Sequence, residues 1–122
     1  MKNSTKKGKE ESATKITVDV TQALIDMDGK EMDEVDVING QVIKTGNLIT
    51  WRKVFCNALK NGAEDNEDAE KSYKNIMLGM KISSEDKIAL TGAEVTEIEN
   101  SVKNAYSKAR LIKAQVYKLF NT

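Results

Sequence analysis

The sequence predicts an α+β fold: a small antiparallel sheet near the N-terminal end, packed on three or four helices. Three observations carry this. Residues 15–20 and 35–44 are rich in β-branched side chains and alternate apolar with polar, as half-buried strands do. The second run is divided by Asn39-Gly40, a dipeptide that accepts the positive φ of a two-residue hairpin turn. From Leu48 onward, apolar residues recur instead at steps of three and four, the spacing of one helix face.

Taken in order, Ile16, Val18 and Val20 share one face of a first strand. Ala23 to Met27 is a second apolar stretch, closed by the turn dipeptide Asp28-Gly29. Val35–Ile38 and Gln41–Lys44 then form the Asn-Gly hairpin, so strand pairing is expected within residues 15–45. Thr45-Gly46-Asn47 break the pattern. Leu48, Trp51, Phe55 and Leu59 make the stripe of a first helix, with Val54 and Ala58 beside it. Asn61-Gly62 ends that helix, with Gly62 expected in a left-handed cap. Asp65 or Asn66 is the expected cap of a second helix, whose stripe is Ala69, Tyr73, Ile76, Met77 and Met80. Residues 83–86 are a turn, and Lys87–Leu90 a brief strand or extended chain. Thr91 and Glu94 have the spacing of a capping box. Beyond it, apolar residues from Val95 to Leu119 form one long helix or two helices broken near 107–109. The predicted core is Leu48, Trp51, Phe55, Leu59, Tyr73, Ile76, Met77, Ile98, Val102, Ile112, Val116 and Leu119.

The 122 residues suit one domain, 15–122, preceded by a tail. Residues 1–14 are Lys, Ser, Glu and Gly with almost nothing apolar, so a disordered basic tail is expected there. The chain has no histidine, no proline and a single cysteine, Cys56. Without histidine there is no imidazole base and no Ser-His-Asp or Cys-His nucleophilic site. One cysteine makes neither an intrachain disulfide nor a Cys-rich zinc site. No apolar run approaches the roughly 20 residues of a membrane span. A soluble, cytoplasmic, non-enzymatic protein without cofactor or metal is therefore expected.

Charge is balanced overall, nineteen basic against nineteen acidic side chains, but unevenly placed. Residues 16–47 carry two basic and seven acidic groups, whereas 100–122 carry five basic and no acidic ones. Asp26, Asp28, Glu31, Asp33, Glu34 and Asp36 read as a solvated acidic loop; a magnesium site or a mimic of nucleic-acid phosphates is the functional alternative. Aligning Gly29 with the glycine of a calcium loop puts Leu24 and Val35 at ligand positions, so a tight turn is the better account. On a continuous last helix, Lys103, Arg110, Lys113 and Lys118 fall within an arc of about 140° adjoining Tyr106 and Tyr117. That face is the candidate anion or nucleic-acid site, against the plain reading that cations favour a helix C-terminus. Cys56, Trp51 and the methionines read as core, with an adaptable methionine groove for a partner as the alternative.

Several short motifs match a known pattern: Leu24-Ile-Asp26-Met-Asp28-Gly29-Lys30, Asn57-Ala58-Leu59, Tyr73 with Leu78 to Ile82, Ala105-Tyr106, and Ala114-Gln115. Across residues 16–120 the chain resembles a loose family of small phage and prophage proteins. In that family a strand runs into an L-x-D-x-D-G-K turn, followed by a helix ending N-A-L and further helices. The chain departs from it in its basic tail, its Asn-Gly hairpin and the lack of a proline near Ser107. The resemblance implies a viral provenance and the cytoplasm of a bacterial host, with no site residues to carry over. The function expected is that of an accessory protein binding a host or defence protein. A virion assembly factor or chaperone, self-associating through the last helix, is one alternative. A nucleic-acid or nucleotide binder is the other.

Overall fold

The computed structural model describes residues 15–121; the expected tail, 1–14, lies outside them. In chain order the elements are β1 (Lys15–Asp19), β2 (Asp33–Ile38), β3 (Gln41–Leu48), α1 (Trp51–Asn61), α2 (Ala69–Ser84), β4 (Lys87–Thr91), α3 (Gly92–Ala105) and α4 (Arg110–Phe120). The fold is α+β, with two separate two-stranded antiparallel sheets, β1–β4 and β2–β3, and four helices.

The pairing of β1 corrects the expectation that the strands pair among themselves within 15–45. β1 lies against β4, with Ile16 opposite Leu90 and Val18 opposite Ile88. Directly opposed residues share a face, and here that face is the core: Val18, Ile88 and Leu90 are buried. The stretch after β1 forms no strand. Its buried Leu24 ties the chain together instead, its amide donating to the Ile49 carbonyl at 2.9 Å and its carbonyl accepting from Met32 at 2.8 Å. The carbonyls of Gln22 and Val20 accept from the Trp51 and Arg52 amides, two donors at the helix start that have no partner within the helix.

The core is where the four helices and the β1–β4 sheet converge, α2 contributing Leu78 and Ile82. Val54, Phe55, Ala58 and Leu59 of α1 meet Ile98 and Val102 of α3 and Val116 and Phe120 of α4. The Phe55 ring lies 5.7 Å from that of Phe120 and 5.6 Å from that of Trp51. α1 begins at Trp51, capped by the Thr50 hydroxyl; Leu48 is the last residue of β3 rather than part of the helical stripe.

Two helix ends differ from expectation, and the last helix takes one of its two expected forms. Asp68, not Asp65 or Asn66, caps α2, accepting from the Lys71 amide at 2.7 Å. Gly62 closes α1 at φ −99°, outside the left-handed region. Its glycine is required by space: a Cβ there would lie 2.2 Å from the Ser101 carbonyl oxygen. The last apolar run is two helices, broken at 106–109 without proline, where the Ala109 amide donates to the Tyr106 carbonyl. The capping box at Thr91 and Glu94 is present, both of its hydrogen bonds made.

The largest correction concerns α2. Its buried residues are Asn75, Leu78 and Ile82. The predicted core stripe faces solvent: Tyr73, Ile76, Met77 and Met80 are 65%, 43%, 44% and 59% exposed. Gly79 turns towards α1, where a Cβ would stand 3.7 Å from that of Leu59. The helix therefore carries two apolar arcs, and the narrower one is in the core.

Candidate functional site

The β2–β3 hairpin stands out from the body. Its turn uses Asn39 and Gly40 at φ 52° and 79°, the conformation the dipeptide favours. Val35 pairs with Lys44, Asp36 with Ile43, Val37 with Val42 and Ile38 with Gln41. One face therefore carries Val35, Val37 and Val42, and the other Ile38 and Ile43. The expected break at 45–47 is a bulge, with Gly46 at φ 87°, and the strand continues to Leu48. Every residue of β3 is exposed, as are Val35 to Ile38 of β2. Among the described residues neither strand pairs with a second strand, so the outer edges present backbone donors and acceptors that no further strand takes up.

The foot of the hairpin is tied to the body of the fold. Lys53 of α1 pairs with Glu34 and also donates to the Leu48 carbonyl at 3.0 Å. Below it the Asp26 carboxylate accepts from the Asp28 and Lys30 amides, and Gly29 takes φ 80°. That is a tight turn, and the acidic residues around it stay spread: among the described residues no three His, Cys, Asp or Glu side chains gather as a metal site.

The four predicted anion-binding residues are divided by the helix break. Lys103 of α3 and Lys113 of α4 line one recess, which also contains Tyr117 and Glu99. Lys118 lines a different groove, of about 570 Å³, with Trp51, Ile25 and Leu119. Arg110 is exposed in the first turn of α4. The 140° arc of a continuous helix is thus not formed. Acidic groups lie close to the pair that does meet: Lys103 and Lys113 also border Glu64 and Asp65. Glu64 is held below the usual carboxylate range, chiefly by a hydrogen bond from Lys71 and to a lesser degree by the Lys103 charge. The Lys71 ammonium is correspondingly raised, first by Glu64 and then by Glu97.

Cys56 packs against α2, its Sγ 3.5 Å from the Gly79 carbonyl and 3.3 Å from the Ser83 hydroxyl. Tyr106 is half-buried, and its hydroxyl accepts from the Asn57 amide at 2.9 Å. Burial pushes its pKa up, partly offset by that hydrogen bond. No helix among the described residues is long and apolar enough to cross a membrane.

No protein-family model matches this chain, and no curated protein or solved structure does. The site therefore rests on the exposed surfaces alone. The residue pattern had placed the hairpin without marking it as a surface; the signal was that both of its faces carry apolar residues, which a sheet lying on a core does not require.

Proposed function

We propose that this chain is a non-enzymatic phage or prophage accessory protein that acts by binding another protein, a host or defence component, through the β2–β3 hairpin. The observation that carries this is the concentration of exposed large apolar side chains on one two-stranded element. Val35, Val37, Ile38, Val42, Ile43 and Leu48 are all exposed there. Such patches mark interaction sites, because a monomer gains nothing by holding them in water. An edge strand offers its backbone to a partner's strand, and alternate side chains then set specificity. Asp33, Glu34 and Asp36 against Lys44 make the hairpin acidic, so the partner surface is an apolar groove with a basic rim. The viral provenance rests on the motif likeness at residues 24–30 and 57–59.

The test is affinity capture from a bacterial host lysate, with the wild-type chain compared to a Val37→Lys/Val42→Lys variant. Both positions are exposed, so the fold tolerates the change. A stoichiometric protein captured by the wild type and lost with the variant supports the reading. Equal capture by both, or no protein captured, contradicts it.

A further inference from the structure

We propose that two copies of this chain pair through the solvent face of α2, antiparallel and about a two-fold axis near Ile76 and Met77. This interface is independent of the hairpin. Ala69, Tyr73, Ile76, Met80 and Ser83 follow one another at steps of four, three, four and three, the spacing of a helix–helix seam. All five are exposed, and Met77 widens the stripe. No charged residue interrupts it. The opposite arc, Asn75, Leu78 and Ile82, is already buried in the domain, so the helix has a second apolar face that none of the described residues covers.

The area fits a second copy. Taking roughly 200 Å² for the full accessible surface of a large side chain, the exposed fractions of Tyr73, Ile76, Met77 and Met80 leave about 400 Å² uncovered. Two copies thus supply about 800 Å² of apolar surface. Homodimer interfaces are about 65% apolar, so this implies roughly 1,200 Å² in total, the low end for a stable pair. Beside the stripe a groove of about 420 Å³ on the α3 side is lined by Tyr73, Met77, Leu78 and Ala93 together with the Lys81–Glu94 ion pair.

The stripe is also complementary to itself. Reversed on its own midpoint, Tyr73 meets Met80 of the second copy, Ile76 meets Met77, and Ala69 meets Ser83 or Ser84. Ring meets thioether, a favourable contact, and small residues meet at both ends, where the backbones can approach. The surface repeats on both partners, as a two-fold interface requires. The last helix, by contrast, has Val116 and Phe120 buried within its own domain, so the expected self-association through it moves to α2.

The experiment is sedimentation equilibrium across a concentration series, with the wild-type chain and Ile76→Lys. The wild type is expected at twice 13.6 kDa above a Kd on the order of micromolar, and Ile76→Lys, which sets two ammonium groups together at the axis, at the monomer mass. A second measurement fixes the face. In a Cys56→Ala background, Met77→Cys is expected to form an intermolecular disulfide on mild oxidation, and Val37→Cys on the hairpin is not. A wild-type monomer at ~100 µM overturns the proposal, as does a dimer that persists in Ile76→Lys or crosslinks through position 37 and not 77.

Discussion

Replacing Gly62 with alanine is the sharpest probe of how α1 is seated on α3. The added Cβ would stand 2.2 Å from the Ser101 carbonyl oxygen, 2.6 Å from that of Ala58 and 2.9 Å from the Ser101 carbonyl carbon. These neighbours are backbone atoms of two helices and cannot rotate away. Restoring an ordinary contact takes a separation of about 1 Å, which loosens Ala58 and Leu59 against Ile98 and Val102. It also stretches the hydrogen bond from the Asn104 amide to the Gly62 carbonyl, now 3.0 Å. Overpacking of this kind costs about 2–3 kcal/mol, or roughly 10 °C in Tm for a domain of this size. Gly79→Ala is the matched comparison. Its Cβ would meet Leu59 at 3.7 Å, an ordinary contact, within a regular helix. There the same chemical change stabilises by about 0.5–1 kcal/mol, through helix propensity and a less mobile unfolded chain. Urea unfolding followed by circular dichroism measures both. A Gly62→Ala protein as stable as wild type, or a larger loss from Gly79→Ala, would refute the close approach.

Three further outcomes are expected. Phe55→Ala removes a fully buried ring stacked on Phe120 and lowers stability by about 3–5 kcal/mol in urea unfolding. Thr91→Ala breaks the capping box and costs about 1 kcal/mol, with Glu94→Ala adding less on top of it than alone, because the two bonds act together. The Tyr106 phenol titrates above the ordinary 10.0 because burial disfavours its anion. Its neutral form is the one the fold favours, so its contribution to stability is complete below the pKa of unfolded tyrosine and is lost as pH rises through the higher folded value. Asn57→Ala, by removing the hydrogen bond that lowers the value, moves the titration further up in a phenolate absorbance or ring-carbon NMR titration.

Local chemistry was legible in the sequence wherever a few neighbouring residues decide the outcome. Asn39-Gly40, the turn at Asp28-Gly29 and the Thr91–Glu94 box are such cases. The partner of β1 was not legible, since Val18 and Ile88 stand 70 positions apart in the chain and the alternation of a strand names no mate. On α2 the periodicity correctly marked a helix but chose the wrong arc. Tyr73, Ile76, Met77 and Met80 are the larger apolar set, yet the small Gly79 lets α1 approach beside Leu78 and Ile82, and close approach decided which arc is buried. The candidate cationic face depended on one unbroken helix. The break at 106–109, one of the two readings the periodicity left open, puts Lys103 on α3 and Arg110, Lys113 and Lys118 on α4. The hairpin was placed by its turn, but its exposure follows from a core already filled by β1, β4 and the helices.

The claim that the hairpin is the partner-binding element is tested most directly by amide hydrogen exchange, with and without a captured partner. A lone two-stranded hairpin opens easily, so the amides of Val35 to Leu48 exchange fast in the free chain. The account predicts that the partner slows exchange across β2 and β3 by orders of magnitude and leaves the Lys103–Lys113 recess unchanged. Protection at that recess, with the hairpin still exchanging fast, would contradict it.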